Sequence, residues 1–271
     1  MQKKTAGILI GCAAAAAAVP VYLLAPGHAT KRQKAPFVGR NFAHRGLHAR
    51  DKSVPENSLR AFELAAAAGY GVELDVQLSK DGQVVVFHDD TLKRVCGVEG
   101  RVDEYTYAQL QELRLCGTGE TIPLFSDVLN TIRGRGGIIC ELKTGRRNRE
   151  LCKKTYELIS AYRGDICIES FDPFIVSWFR FHAPDMLRGQ LSSDRFKDQP
   201  PVRGFMLSRC LMNFVSRPHF IAYKLTKRPL SVRFAELLGA MKVAWTSHDP
   251  RSEKGQDAVI FEFYRPNISF K

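Results

Sequence analysis

Short apolar runs rich in β-branched residues alternate with helical stretches from residue 41 almost to the end of the chain. This alternation predicts a parallel sheet whose strands are joined by crossover helices. The predicted strands are Phe42 to His44, Val72 to Val76, Val84 to His88, Ile138 to Leu142, Ile166 to Ser170, Leu187 to Leu191, Phe220 to Lys224, Val243 to Thr246 and Ala258 to Phe263. Such a number of strands in about 230 residues indicates an α/β fold of the TIM-type (β/α)8 barrel class.

Helical periodicity marks the segments between the strands. The predicted helices are Ser58 to Ala68, Ser126 to Arg133, Arg149 to Tyr162, Pro173 to His182 and Val232 to Met241. The first of them follows a Pro-Glu-Asn-Ser turn, whose side chains can cap the helix.

Two features make the predicted barrel locally irregular. The connection through Ser79-Lys80-Asp81-Gly82 has no room for a crossover helix and predicts a hairpin. Residues 91–123, with one helix from Tyr105 to Leu115, predict a small insertion after the third strand. Insertions at this end of a barrel commonly shape access to the substrate site.

The N-terminal segment has a different pattern. After Lys3 and Lys4 the chain carries no charge from Thr5 to Gly27, which is long enough to cross a bilayer as a helix. We expect residues 1–30 to be a transmembrane anchor or a signal segment, with the anchor favoured over cleavage near Gly27-His28-Ala29. Residues 38–271 form the predicted barrel domain. The expected localisation is therefore membrane-associated, on a side that the flanking basic residues do not decide.

The chain is basic, with a formal charge of +12 and a dense basic stretch from Arg180 to Arg233. A solvated basic face explains this stretch, and attraction to a membrane surface is the alternative. Nucleic acid is not predicted as a partner, because no helix-turn-helix, zinc-finger or RNA-binding aromatic motif accompanies the charge. No obligate protein partner is predicted. The seven cysteines lack metal-type spacing, which argues against a zinc site built from thiolates and favours free thiols.

Acidic residues stand at the predicted ends of two buried strands. Glu73 and Asp75 are two residues apart, so their side chains point to the same side of a strand, and Glu141 lies at the end of another strand. Because strand ends converge on one face of a barrel, the three can bind one hard cation, Mg²⁺ or Ca²⁺. The alternative is that Glu73 or Glu141 only pairs with Arg45 or Lys143.

His44 and His88 also lie at strand ends. An imidazole titrates near neutral pH, so such residues can exchange protons with a nucleophile and a leaving group. His28, His48, His182, His219 and His248 lack this setting, and we expect them to be surface or structural residues.

These clusters form an ordered series. The motifs are Ala43-His44-Arg45-Gly46, Pro55-Glu56-Asn57-Ser58, Glu73-Leu74-Asp75-Val76-Gln77, Val85-Val86-Phe87-His88-Asp89 and Glu141-Leu142-Lys143. In order and spacing the series resembles the signature of glycerophosphodiester phosphodiesterases.

The resemblance implies metal-dependent hydrolysis of glycerophosphodiesters to an alcohol and sn-glycerol 3-phosphate. Glu73, Asp75 and Glu141 would hold one divalent cation, Mg²⁺ or Ca²⁺. Arg45 and Lys143 would bind the phosphate, and His44 and His88 would be the acid/base pair.

The chain departs from the family pattern near its end. Ser247-His248-Asp249-Pro250 follows Trp245-Thr246, and Val259-Ile260-Phe261-Glu262-Phe263 replaces the usual closing segment. We expect the last two strands to be irregular, with an effect on substrate fit and none on the metal or acid/base residues.

Two alternative functions remain open. Phospholipase D-like or lysophospholipid phosphodiesterase activity at a membrane would suit the N-terminal segment and the basic stretch. A catalytically silent, membrane-anchored binding protein is the alternative from another class, since a fold alone does not guarantee activity.

Overall fold

The computed structural model describes residues 18–197 and 199–270. These residues form nine strands: β1 (Arg40–His44), β2 (Gly71–Leu78), β3 (Val84–Val86), β4 (Ile138–Leu142), β5 (Ile166–Ser170), β6 (Arg188–Ser192), β7 (Phe220–Lys224), β8 (Met241–Ser247) and β9 (Ala258–Phe261). All except β3 pair in parallel and in chain order, and β9 pairs back to β1. This closed eight-stranded barrel confirms the predicted TIM-type fold.

Helices follow most strands and cover the barrel. They are Leu59–Ala67, Phe125–Ile132, Asn148–Ala161, Pro173–His182, Pro201–Ser208 and Leu230–Leu237, with shorter helices at Lys31–Lys34, Lys93–Cys96, Tyr107–Gln111 and Asn213–Ser216 and 3-10 turns at Val102–Glu104, Leu115–Gly117 and Pro250–Glu253. The five helices predicted between strands are all present. Pro201–Ser208 was not predicted, because adjacent prolines and Gly204 obscure a helix that tolerates proline only in its first turn.

The two faces of each strand separate the apolar core from the site. Successive side chains of a strand point to opposite faces of the sheet. Every second residue therefore fills the inside of the barrel, where Phe42, Ile139, Leu191, Phe220, Val243 and Ile260 belong to one buried cluster. The intervening residues, among them Leu74, Cys140 and Ile168, pack under the helices. Inward positions at the carboxyl ends of β2 and β4 carry acidic side chains instead.

The two predicted irregularities lie next to each other. Strand β3 pairs antiparallel with β2 through Val76 and Val86, which confirms the hairpin. Residues 91–123 have an apolar cluster of their own that includes Leu92, Leu110 and Ile122. The single helix predicted from Tyr105 to Leu115 is wrong: the chain is helical only over Tyr107–Gln111, and a left-handed residue, Cys116, interrupts the following turn.

The register between β8 and β9 shifts between Ala244 and Ser247. The predicted irregularity of the last two strands is therefore present.

The predicted membrane association is wrong for the part of the chain that the structure describes. Residues 1–17, which hold most of the predicted apolar segment from Thr5 to Gly27, lie outside the described residues. From residue 18 to residue 270, leaving out residue 198, no helix is long and apolar enough to cross a bilayer.

The described end of that apolar segment contacts the barrel domain. Residues 18–24 are helical, and Leu24 and Ala29 are buried. The Asn213 side chain donates a hydrogen bond to the carbonyl of Leu24 at 3.2 Å, and the Gly27 amide donates to the Pro218 carbonyl at 3.0 Å. Protein atoms therefore surround Leu24, which was expected to face lipid, whereas Val19, Val21 and Tyr22 of the same segment are exposed.

Close packing between β6 and β7 yields the first prediction. A Cβ added at Gly189 would lie 2.0 Å from the ring of Phe220, inside the barrel. We expect Gly189→Ala to destabilise the protein by roughly 1–3 kcal/mol, because overpacking displaces neighbouring side chains. Urea unfolding of the two proteins measures the difference.

Gly119→Ala is the matched control, since a Cβ there meets no heavy atom within 4 Å. Its free energy of unfolding should stay close to that of the unmodified chain. Equal stability of the two variants would contradict the packing argument.

Candidate active site

Three buried carboxylates meet at the carboxyl-terminal mouth of the barrel. Glu73 and Asp75 point inward from β2, and Glu141 stands beside Asp75 on the neighbouring strand β4. One oxygen from each lies within 4.8 Å of the others, and all three residues are buried. The structure thus brings together the three residues that the sequence predicts as cation ligands.

The three carboxylates differ in protonation because their neighbours differ. Burial raises the pKa of Glu73 well above its ordinary value, and the charges of Asp75 and Glu141 raise it further. Burial also raises the pKa of Glu141, although Lys143 opposes the shift. For Asp75 burial is outweighed by the positive charges of His88, Lys143 and Arg45, which lower its pKa. Asp75 is therefore the most strongly ionised member of the group.

Two basic side chains compensate this negative charge. Lys143 Nζ lies 2.9 Å from Glu141 Oε1 and 3.5 Å from Asp75 Oδ1. Arg45 Nε lies 3.6 Å from Asp75 Oδ2, and the Arg45 backbone amide donates to Glu73 Oε2 at 3.1 Å. The pairing expected as an alternative to cation binding is therefore present, and it occurs within the same cluster.

The turn after β1 positions Arg45. Arg45 and Gly46 both have positive φ angles, of 52° and 79°, and a Cβ at Gly46 would lie 2.8 Å from the backbone of Ala61. Position 46 requires glycine, because any other residue would have both a strained positive φ angle and a Cβ that clashes with Ala61. The Arg45 guanidinium is then held by Glu56, with Nη1 donating to Oε1 at 2.6 Å. Glu56 was given no site role from the sequence.

His44 lies between two acidic groups. Its Nε2 is 3.9 Å from Glu73 Oε2, and its Nδ1 is 3.0 Å from Glu262 Oε1. Burial lowers the pKa of His44, although the contact with Glu262 opposes the shift. A neutral ring that donates Nδ1–H to Glu262 leaves Nε2 free to accept a proton on the side of the carboxylates.

His88 is also held at Nδ1 by a carboxylate. Its Nδ1 lies 2.6 Å from Asp89 Oδ1, and Arg94 in turn donates to both oxygens of Asp89. These contacts lower the pKa of Asp89 against the effect of its partial burial. The remaining ring nitrogen of His88 is available to a substrate, so the two predicted acid/base residues share one design.

His48 and Glu262 are two further site residues that were not found from the sequence. His48, expected to be a surface or structural residue, places Nε2 3.0 Å from the same Glu262 oxygen that His44 contacts. The segment Val259-Ile260-Phe261-Glu262-Phe263, which differs from the family pattern, was expected to have no effect on the acid/base residues. This was wrong, because Glu262 in this segment contacts His44. A signal was available: Ala258 and Ile260 point into the barrel, and Glu262 is the next residue in that alternation.

Asn57 and Glu169 complete the group. Asn57 Nδ2 donates to Asp75 Oδ2 at 2.9 Å, which fixes one carboxylate oxygen. Glu169 is the neighbour of Glu141 on β5, and its pKa is raised well above the ordinary value, first by burial and then by the charges of Glu141 and Asp75. The sequence contained this fourth carboxylate at an inward strand position.

The donor set fits a divalent cation. Asp75 Oδ1, whose contact with Lys143 Nζ is a 3.5 Å ion pair, and Glu169 Oε2 are buried without a hydrogen-bond partner among the described side chains and backbone. A buried oxygen that lacks a hydrogen bond is costly. A cation shared by oxygen ligands relieves both this cost and the mutual repulsion of Glu73, Asp75 and Glu141.

The family model and the relatives named below indicate the same family. The sequence profile of the Glycerophosphoryl diester phosphodiesterase family matches residues 44–262. A glycerophosphodiester phosphodiesterase from Bacillus altitudinis is 39% identical over 109 residues, covering 38% of this chain and 43% of the relative. A protein of Bacillus subtilis, named a putative glycerophosphodiester phosphodiesterase, is 28% identical over 237 residues, covering 82% of this chain and 93% of the relative. The chain thus spans less than half of the first relative and most of the second.

A solved structure is similar over most of its length. It is a phosphodiesterase from Oleispira antarctica in complex with the product sn-glycerol-3-phosphate, with a TM-score of 0.69 and 25% identity. The match covers 84% of this chain and 94% of that protein.

The ion pairs of Glu56 yield a prediction about pH. Partial burial opposes ionisation, but Arg94 and Arg45 together lower the pKa of Glu56 from 4.5 to about 2. The stabilisation is complete above pH 4.5 and is lost as the pH falls toward 2. We expect Glu56→Gln to cost up to about 3 kcal/mol at pH 7, and the gap to shrink at pH 3. Urea unfolding at both pH values measures it.

Glu63→Gln is the control, because Glu63 pairs with an arginine at the exposed surface. Exposed pairs contribute little, so this variant should unfold almost like the unmodified chain at either pH. A Glu56→Gln gap that stays constant between pH 7 and pH 3 would contradict the assignment.

Proposed function

The chain belongs to the glycerophosphoryl diester phosphodiesterase family, a family of phosphoric diester hydrolases, and on that premise we propose that it hydrolyses glycerophosphodiesters to an alcohol and sn-glycerol 3-phosphate. The observation that supports the proposal is the convergence of Glu73, Asp75 and Glu141 within 4.8 Å, with Arg45, Lys143 and His44 in contact with them. The proposed metal ligands, the proposed phosphate-binding side chains and a proposed proton carrier therefore lie together at one barrel mouth.

Glu73, Asp75 and Glu141 would hold one divalent cation, Mg²⁺ or Ca²⁺. Three carboxylate oxygens without thiolate or imidazole suit these hard cations. When bound, the cation supplies Lewis-acid polarisation of a phosphoryl oxygen. The raised pKa values of Glu73 and Glu141 mean that cation binding competes with protons for these carboxylates.

Arg45 and Lys143 would bind the phosphate. Both are fixed before any substrate arrives, Arg45 by Glu56 and Lys143 by Glu141. Fixed positive charges stabilise the negative charge that grows on the phosphoryl oxygens in the transition state without reorganising at that moment.

His44 and His88 would transfer the protons. Burial keeps His44 neutral near pH 7, so its Nε2 can accept a proton from the attacking hydroxyl group. His88, aligned at Nδ1 by Asp89, would act in its doubly protonated form and give the proton on Nε2 to the departing alkoxide. The two carboxylates that hold Nδ1 set the tautomer of each ring.

The first test is hydrolysis of glycerophosphocholine and glycerophosphoethanolamine by the full chain, with Mg²⁺, Ca²⁺ or EDTA present. We expect glycerol 3-phosphate to be released with either or both cations and not with EDTA, because the carboxylate cluster needs a cation. An enzyme-coupled assay of glycerol 3-phosphate measures this. Lysophosphatidylcholine is tested in parallel. Release of choline from lysophosphatidylcholine, without release of glycerol 3-phosphate from either glycerophosphodiester, would replace the proposal by the lysophospholipid alternative.

A substitution tests the proton carriers. His88→Asn should lower kcat by roughly 10²–10⁴-fold, the usual contribution of a general acid or base, while the circular dichroism spectrum stays unchanged. His182→Asn is the matched control, since His182 is exposed on an outer helix and should retain the full rate. A His88→Asn rate close to that of the control would exclude His88 from the reaction.

A further inference from the structure

A second group of metal-type ligands lies on the other side of His44 from the three carboxylates. It consists of His44, His48 and Glu262, whose donor atoms all lie within 4.8 Å of one another. We infer that these residues form a separate site for a transition-metal ion of the Zn²⁺ type, whose occupation inhibits the enzyme by capturing His44.

The spacing of the donors suits a small ion. Glu262 Oε1 is 3.0 Å from His44 Nδ1 and 3.0 Å from His48 Nε2. Zinc binds imidazole nitrogen and carboxylate oxygen at about 2.0–2.2 Å, so two ligands of a tetrahedral ion are separated by about 3.3 Å. Small rotations of the side chains would therefore complete a site that is already close to the required geometry.

The chemistry of the donors separates this site from the carboxylate cluster. Two imidazoles and one carboxylate favour zinc, copper or nickel, whereas Glu73, Asp75 and Glu141 offer only oxygen. Both imidazoles contact the same oxygen of Glu262, each at 3.0 Å.

The surroundings leave room for an ion to enter and for a fourth ligand. A cavity of about 340 Å³ opens beside the cluster and is lined by His48, Glu262 and Phe263, among others. His248 Nε2 lies 4.0 Å from Glu262 Oε2, and the His248 side chain is 56% exposed. A water molecule from the cavity or the imidazole of His248 can supply the fourth position of a tetrahedral site.

Occupation would change the state of His44. In the absence of such an ion, Nδ1 donates its proton to Glu262 and Nε2 is free. An ion bound at Nδ1 would displace that proton, and Nε2 would take up a proton from solvent, so that the ring stays neutral with no net loss of a proton. Because Nε2 then carries the proton, it cannot accept one from a nucleophile. Binding of zinc at this site would therefore prevent His44 from acting as the proposed base.

The binding experiment does not depend on the proposed function. Zinc bound per chain is measured by competition with a chromophoric chelator, for the full chain and for Glu141→Gln, which weakens the carboxylate cluster. His48→Asn is then added to each. We expect His48→Asn to remove one zinc equivalent in both backgrounds, and the surface control His182→Asn to remove none.

An unchanged zinc count after His48→Asn would overturn the proposal, as would an equal loss in His182→Asn, and the three residues would then be a hydrogen-bonded support for His44 alone. Should His48→Asn fail to fold, X-ray absorption of zinc bound to the Glu141→Gln chain decides the question. Two imidazole ligands support the site, and a shell of oxygens alone refutes it.

Inhibition is a separate arm that rests on the proposed function. Zinc is titrated into the hydrolysis assay at saturating Mg²⁺, and each protein is compared with its own zinc-free rate. His48→Asn should raise the inhibiting zinc concentration about tenfold or more, since even an outer-shell change costs a metal site roughly 10- to 100-fold in affinity. Identical inhibition of both proteins would refute capture of His44, whereas a protein without any hydrolysis contradicts the proposed function and leaves the binding result standing.

Discussion

The mutual repulsion of buried carboxylates in the barrel mouth is the constraint on which the rest of the site depends. Glu73, Asp75, Glu141 and Glu169 all point into one small volume, and each is at most 5% exposed. Buried charge is very costly unless it is paired. Arg45 and Lys143 supply part of the compensation, and the raised pKa values of Glu73, Glu141 and Glu169 show that it is incomplete. A divalent cation bound to the cluster would offset part of this repulsion.

Local patterns in the sequence predicted the barrel and much of this cluster. Strands β4, β5 and β7 have the predicted bounds, because buried parallel strands are continuous apolar runs that end abruptly at polar residues. Glu73 and Asp75 were paired correctly in space for the same reason, since the two-residue repeat of a strand fixes their direction. Features that depend on period and strand ends can be predicted from one sequence.

Features that depend on distant segments could not be predicted in this way. Glu262 reaches His44 and His48 only because β9 closes the barrel against β1, and no local pattern contains that closure. The register shift before Ser247 has the same character. The error over the described end of the N-terminal segment is also of this type, since an apolar residue such as Leu24 can pack against β7 and a flanking helix as well as against lipid.

Glu56 joins the barrel to the insertion. It accepts hydrogen bonds from Arg45, on the first barrel loop, and from Arg94, at the start of the insertion. Arg94 also holds Asp89, which aligns His88. Local opening of the insertion would therefore release Arg45 and His88, the proposed phosphate-binding residue and proton donor, in the same event. An exchange of the insertion between relatives, made to change specificity, must therefore keep an arginine at the position of Arg94.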